Sequence, residues 1–443
     1  VKTYKTTEYI DKVFVASGTK AIWGGYYNYN FLSSDTTKLL SNRCGFDGRA
    51  IEKGDKVEIG YYDISSGDWH TIDESDSFNW PQGTMLQWLP NTNDSKVVFN
   101  LSRNGKLISR VVDITTGETR DLCYPVYCIT PDGKYAITLN FERSYWTPAY
   151  HYQSVENAGC DVDVLEGDGI FSLDIEHNIL QRIIAIEDVL KTKPEPMFSE
   201  GKHWLEHIMI SPSGTRFVFL HRYMYPHTGR LTRIIIADID GSNMQVVDGW
   251  RKFAWSHFAW QADDSFVIYA RESTNLARAY SDIELKRRSI NAKACLLSIL
   301  KKVYRIVVAP LIPENIKRII IGHNGYQLYQ ANNGFFKYKE TYGGILFAID
   351  GHPSFAGYGK YMITDTYPDE KKYRYLIVWN TQTHKGMRIG KFYSPFYGTA
   401  AACDLHPKLA KNGKYIVVDT ACTGKRNMMV FRINWAKVVK KLG

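Results

Sequence analysis

The sequence of 443 residues has no apolar run of about 18 residues, the length a helix needs to cross a bilayer core. Its opening Val1-Lys2-Thr3-Tyr4-Lys5 lacks the apolar centre of a secretory signal. Cysteine is sparse and odd in number, seven in all, and its spacing fits neither a zinc ribbon nor a redox Cys-x-x-Cys pair. Reduced, buried thiols are therefore expected, and with them a cytoplasmic location, membrane-associated or not; a periplasmic one stays open. A Gly-x-Ser-x-Gly elbow is missing, which excludes a prolyl-peptidase reading. Gly357-Tyr-Gly-Lys-Tyr lacks both the spacing and the Ser/Thr of a phosphate-binding loop. Helix-period stretches are scarce too. What is plentiful is aromatic: 30 Tyr and 11 Trp, suited to strands and to stacking on sugar faces.

Short β-branched and aromatic runs recur between turn signals, and several share one grammar. Cys128-Ile-Thr-Pro-Asp-Gly-Lys-Tyr matches Ile210-Ser-Pro-Ser-Gly-Thr-Arg-Phe, and later copies are Gly357-Tyr-Gly-Lys-Tyr-Met and Lys411-Asn-Gly-Lys-Tyr-Ile. Further turns at Ser66-Gly67, Thr116-Gly117 and Asp240-Gly241 follow strands ending in Asp63, Asp113 and Asp238. Four-strand repeats of about 40–50 residues read as propeller blades. Six anchored blades and an N-terminal one over residues 20–72 predict an all-β, seven-bladed β-propeller spanning 1–443 as a single domain, with eight blades left open. Ring closure would pair Lys12–Ala16 with the last blade near Met428–Ile433.

Counting back seven residues from each turn gives Gln87, Val126, His207, His257, His352 and His406. Four of these six are His, although the chain has only 12. Innermost strands line the axis of a propeller, so four imidazoles should converge on one arc of the funnel. Such a cluster suits a metal ion or proton transfer. A second register fourteen residues on reads His221, Arg271, Thr366 and Thr420, and the loops beyond it should rim the funnel. They carry Arg143, Tyr145, His221, Arg222, Arg230, Lys425 and Arg426. Cations and aromatics round a pocket suit a carboxylate-bearing glycan.

The segments Asp350-Gly-His-Pro-Ser-Phe, Phe392-Tyr-Ser-Pro-Phe and Cys403-Asp-Leu-His-Pro, with Gly424-Lys-Arg, resemble the oligogalacturonate-lyase-like bacterial propellers, a group related to TolB-type WD40-like repeats. The resemblance covers residues 80–435 and implies a divalent metal, typically manganese, held by several His and a Gln. It also implies β-elimination at a uronic acid. His352 and His406 match the His-Pro motifs, His257 matches as a ligand from the adjacent blade, and His207 fits by register. Gln87 shares the register but lies in an early blade, so the ligand Gln has no match. On this reading three of the four His hold the ion, and the fourth, or His221, is the base. Arg222 or Arg143 grips the carboxylate, and Tyr145, Arg230, Tyr393, Lys425 and Arg426 bind sugar. The expected partner is an acidic poly- or oligosaccharide. The alternative is a non-catalytic glycan- or protein-binding propeller of a surface-polysaccharide pathway, which needs the rim but not the His cluster.

The formal charge of +9 is concentrated in one place. Residues 286–318 hold nine Lys/Arg against Glu314 alone, so the rest of the chain is nearly neutral and no nucleic-acid face is expected. Within 281–321, Ala294, Leu297, Leu300, Tyr304 and Val308 fall at helical spacing. A basic amphipathic insertion within a blade, helical, is the expectation. It could pack on the propeller, dock a protein or lie on an anionic membrane.

Overall fold

A computed structural model describes residues 3–157, 159–225, 229–272, 324–356 and 358–443. The expected insertion at 281–321, with its basic stretch 286–318, lies outside the described residues.

Seven antiparallel sheets follow one another along the chain as the blades of a seven-bladed β-propeller. Blade 1 is Ala21–Trp23, Lys38–Cys44, Val57–Asp63 and Trp69–Ser75; blade 2 runs from Gln87 to Leu122 and blade 3 from Cys128 to Ala185. Blade 4 runs from Lys202 to Val246 and blade 5 from Phe253 to Tyr342. Blade 6 runs from Ser354 to Tyr393 and blade 7 from Lys408 to Ile433, and both borrow strands from the start of the sequence. Tyr4–Thr6 adds a fifth strand to blade 6, pairing Tyr4 with Phe392. Ile10–Ala16 completes blade 7 by pairing with Asn427–Ile433, from Ile10 opposite Ile433 to Ala16 opposite Met428. The expected closure is therefore present. Its physical reason is that an open ring would leave the Asn427–Ile433 edge unpaired.

Local chemistry explains the repeat. Asp63 and Asp113 each accept backbone N–H bonds from the turn that follows, Ser65 N at 2.8 Å and Thr115 N at 2.9 Å. These are Asx turns, in which a short side chain stands in for a backbone acceptor. In blade 4 that role passes to Asp240, which accepts from Ser242 N at 2.9 Å. The glycines of the first hairpins serve packing between blades. A Cβ on Gly133 would meet Pro90 O at 2.6 Å, and one on Gly214 would meet Pro131 Cδ at 2.8 Å. These two hairpins thus rest on a proline of the blade before, while Gly359 rests on Gln261.

The connections between second and third strands share one face with the starts of the first strands. Blade 3 enlarges that face with Phe141–Trp146 and Pro148–Tyr150, two short 3-10 turns.

Removing residues 1–16 should strip the outer strands from blades 6 and 7 together. The expected outcome is loss of the cooperative thermal transition and association through the bared edge, read by calorimetry and by size-exclusion chromatography.

Candidate functional site

Four histidines from four successive blades meet at the axis, as their register predicts. Ring centroids are 6.5 Å apart for His207 and His257, 4.1 Å for His257 and His352, and 4.3 Å for His352 and His406. All four are buried, between 1% and 7% exposed. Strand bulges aim two of them: register slips between Glu206 and Met209 around His207, and between Trp255 and Phe258 around His257. A bulge turns a side chain out of the regular alternation, which is why bulges cluster at sites. His207 and His406 also have positive φ, 54° and 42°, a conformation uncommon outside glycine.

Three of the rings are held the same way. The Nδ1–H of His352 donates to Asp365 Oδ1 at 2.8 Å, that of His257 to Asp350 Oδ1 at 3.2 Å, and that of His406 to Gly25 O at 3.1 Å. With the proton fixed on Nδ1, each Nε2 keeps a free lone pair, as in histidine metal ligands oriented by a second acceptor. His352 Nε2 and His406 Nε2 lie 4.0 and 3.8 Å from Asp404 Oδ2. One donor atom from each of His352, Asp404 and His406 falls within 4.8 Å of the others. Asp404 is oriented in turn by Arg374, whose guanidinium is 2.5 Å from Oδ1. Two imidazoles and a carboxylate, with a third imidazole beside them, form a donor set that fits a divalent transition ion.

Electrostatics separates the rings. Burial would depress His352, but Asp365, Asp404 and Asp350 outweigh it and raise the net value. Burial, then the neighbouring His352 and Lys408, pushes His406 well below the usual imidazole range. His207 is also pushed well below it, first by burial. It stands outside the metal-type trio, with Nε2 2.7 Å from the Tyr26 hydroxyl.

Beside His207 sits a buried ion pair. Glu206 Oε2 accepts from Arg222 Nε at 3.0 Å, and Oε1 accepts from Trp204 Nε1 at 2.6 Å and from Thr147 Oγ1. Burial opposes the charge on Glu206, but Arg222, His207 and Arg230 overcome it and hold the carboxyl at about 2. Arg230 is exposed and close enough to act on Glu206, Arg222 and Tyr150.

Other rim residues fall elsewhere. His221 does not join the funnel, because successive strand residues point to opposite faces and Arg222 takes the inner one. Its ring lies in a chain in which Arg233 Nε donates to His221 Nδ1 at 3.0 Å. His221 Nε2 then meets His203 Nδ1 at 2.9 Å, and His203 Nε2 meets Phe198 O at 3.1 Å. With both nitrogens engaged, it has no lone pair for substrate. Arg143 is 1% exposed and donates to the carbonyls of Gly159, Val162, Asp163 and His203, so it ties down the blade 3 loop rather than offering a free cation. Arg426 is likewise buried, donating to Ala401 O and Ala402 O and lying 4.2 Å over Trp80. Tyr393 packs against Tyr373 between the outer strands of blade 6. Tyr145 and Lys425 are exposed, and the Lys425 ammonium donates to Thr19 O. Gln87 donates its amide to Met85 O and Tyr127 O. A cavity of about 910 Å³ elsewhere, lined by Asp248, Phe253, Gln327 and Tyr329 among others, contains none of the funnel histidines.

The sequence reading missed Asp404, Asp365 and the tyrosines at the centre. One signal was available: Asp350-Gly-His352-Pro and Asp404-Leu-His406-Pro repeat an Asp two residues before His.

An oligogalacturonate lyase solved in complex with manganese superposes with a TM-score of 0.58, covering 98% of this chain and 97% of that one at 14% identity. The fold is that of oligogalacturonate lyase. A second such lyase, from Vibrio parahaemolyticus, gives 0.56 over 97% and 96% of the two chains at 13% identity. At these identities the likeness to the lyases is one of fold. No protein-family model matches the sequence, and no curated protein does.

Two outcomes follow from the geometry. Asp404→Asn should weaken divalent-ion binding by roughly tenfold or more, measured by titration calorimetry. Glu206 is depressed from 4.5 to about 2, so its charged form contributes roughly 3 kcal/mol of stability that is lost as pH falls from about 4.5 towards 2. Glu206→Gln should flatten that part of the pH–stability curve.

Proposed function

We propose that the chain is a divalent-metal-dependent lyase that cleaves a uronic-acid-containing oligo- or polysaccharide by β-elimination, with manganese as the ion. The observation that carries this reading is the trio of imidazoles held at Nδ1 by Asp350, Asp365 and Gly25 O, with the Nε2 atoms of His352 and His406 beside Asp404. A propeller that only binds glycans has no need of so prepared a donor set. The shared fold with a manganese-bound lyase supports the same direction.

His352, His406 and Asp404 would hold the ion, with His257 next to them. When bound, the ion supplies Lewis-acid polarisation of the substrate carboxylate. The chain's own residues do the rest. Arg230, exposed beside the neutralised Glu206–Arg222 pair, meets the substrate carboxylate. His207, neutral at pH 7 because burial depresses it, accepts the proton α to that carboxylate. The C–H electron pair becomes the new C=C bond, the C–O bond to the leaving sugar breaks, and the departing oxygen takes a proton from water. A binding-only role draws on one observation, that all four imidazoles are at most 7% exposed.

The purified chain, loaded with Mn²⁺ and given uronate glycans, should release an unsaturated product seen by its ultraviolet absorbance. Chelation should abolish the signal, and His352→Ala should lower it roughly 100-fold or more. Bound metal without product from any uronate glycan would favour the binding-only role.

A further inference from the structure

The cavity of about 910 Å³ lies against blade 5, where that blade's first strand begins at Phe253, and it has the size of pockets that enclose small ligands. One side is the connection 248–252, which leads from blade 4 into that strand. The other side is made by Gln327 and Tyr329 of the third strand and by Tyr338 and Thr341 of the fourth. These walls are fixed by close packing. Gly249 has φ 122°, and a Cβ there would lie 2.8 Å from the Trp255 ring and 3.3 Å from the Tyr329 hydroxyl. Only glycine lets the connection close on those rings. Tyr329 stacks on Phe266 at 5.3 Å and 10°, and its hydroxyl lies 3.1 Å from Asp248 O.

Gln327 is the group that this packing leaves unfinished. It is 3% exposed and lines the cavity. Trp255 Nε1, which can only donate, lies 3.3 Å from Gln327 Oε1, and the Tyr329 hydroxyl lies 3.1 Å from the same oxygen. The indole therefore sets which way the amide faces: Oε1 turns towards Trp255, which is not part of the lining, and Nε2 is left for the cavity. Among the described residues Nε2 has no hydrogen-bond partner. A buried amide held in one orientation with its donor unused marks a place for an acceptor from outside.

Charge narrows the class of ligand. Two charged residues line the cavity, and both have partners: Asp248 is 2.7 Å from Lys193, and Lys252 is 3.4 Å from Glu272. A uronate carboxylate would have to compete with Glu272 for Lys252. What the cavity offers instead is the rings of Phe253, Tyr329 and Tyr338, the Gln327 donor, and the hydroxyls of Tyr338 and Thr341, 3.0 Å apart. Rings interspersed with uncharged polar groups match a pyranose, which has apolar faces and a hydroxyl edge. A wholly apolar ligand would leave the Gln327 donor unused.

We propose that this cavity is a second glycan site that takes one or two neutral pyranose rings, a sugar oxygen accepting from Gln327 Nε2 and a sugar face lying on Tyr338. The site goes beyond the lyase reading and does not depend on it: the funnel is prepared for a carboxylate, and this cavity for a sugar without charge.

The test is saturation-transfer NMR on the full chain. Methyl β-glucoside, methyl β-galactoside, methyl α-mannoside, maltose and cellobiose are the neutral probes, with digalacturonate and adenosine as charged and planar comparators. The variants are Gln327→Leu and Gly343→Phe. Gly343 lines the cavity, and a Cβ there would come no nearer than 3.9 Å to any atom, so the added ring fills the space without breaking a bond. That variant decides the matter even where Gln327→Leu does not fold. At least one neutral probe should bind the wild type, with affinity falling roughly fivefold or more in each variant. Absence of binding by all five overturns the proposal, and so does binding that Gly343→Phe leaves unchanged. It is also overturned if digalacturonate or adenosine is the probe that the variants release while the neutral sugars are unaffected. Because the readout is binding, a chain that eliminates no uronate glycan leaves this test intact.

Discussion

The site stands on the hydrogen bonds that its imidazoles give away from the funnel. A free histidine offers either nitrogen to a ligand, and four of them packed within a few ångströms would exchange protons and repel when charged. Here Asp365, Asp350 and Gly25 O each take one N–H, and the ring that remains is a lone pair with a fixed direction. The acceptors come from outside the histidine register: two carboxylates on the connections of blade 6 and one carbonyl on blade 1. The geometry therefore belongs to the ring of blades as a whole.

Buried carboxylates need partners, and the funnel supplies them across blade boundaries. Asp404 is paired with Arg374 of blade 6, and Asp419 with Lys408 of its own blade and the Gly24 N–H of blade 1. Such pairs contribute little net stability once desolvation is counted, whereas loss of one partner strands a buried charge. Their effect is specificity. Each fixes the rotation of one blade against the next, and so the separation of the imidazoles that those blades carry.

Much of this was legible before any coordinates. Turn chemistry at Asp63 and Asp113, the Gly of the first hairpins and the spacing of His207, His257, His352 and His406 were enough for the fold, the closing strand and the convergence of four rings. The failures share a physical cause. His221 and Arg222 were both assigned to the rim, yet neighbours on one strand cannot share a face. Arg143 and Arg426 read as free cations because composition does not reveal that backbone carbonyls satisfy them. Tyr26 and Tyr27 were invisible because they sit where the pairing of blade 1 lapses between Trp23 and Leu32, and a register built from regularity cannot see the exception. Asp404 was within reach of a closer comparison of the two Asp-x-His-Pro segments.

The pairing of Ile10 with Ile433 joins residues that lie on either side of all seven blades in sequence. Loop closure over that distance is the slowest kind of contact to form, and it gains nothing until the sheets between are in place. During synthesis the strand Ile10–Ala16 emerges before all seven blades and waits for its partner until blade 7 has followed. Its burial pattern fits that wait, for Asp11, Lys12 and Val13 stay exposed even in the finished blade. Two of those three carry charge, which keeps the waiting strand hydrated while the ring is still open.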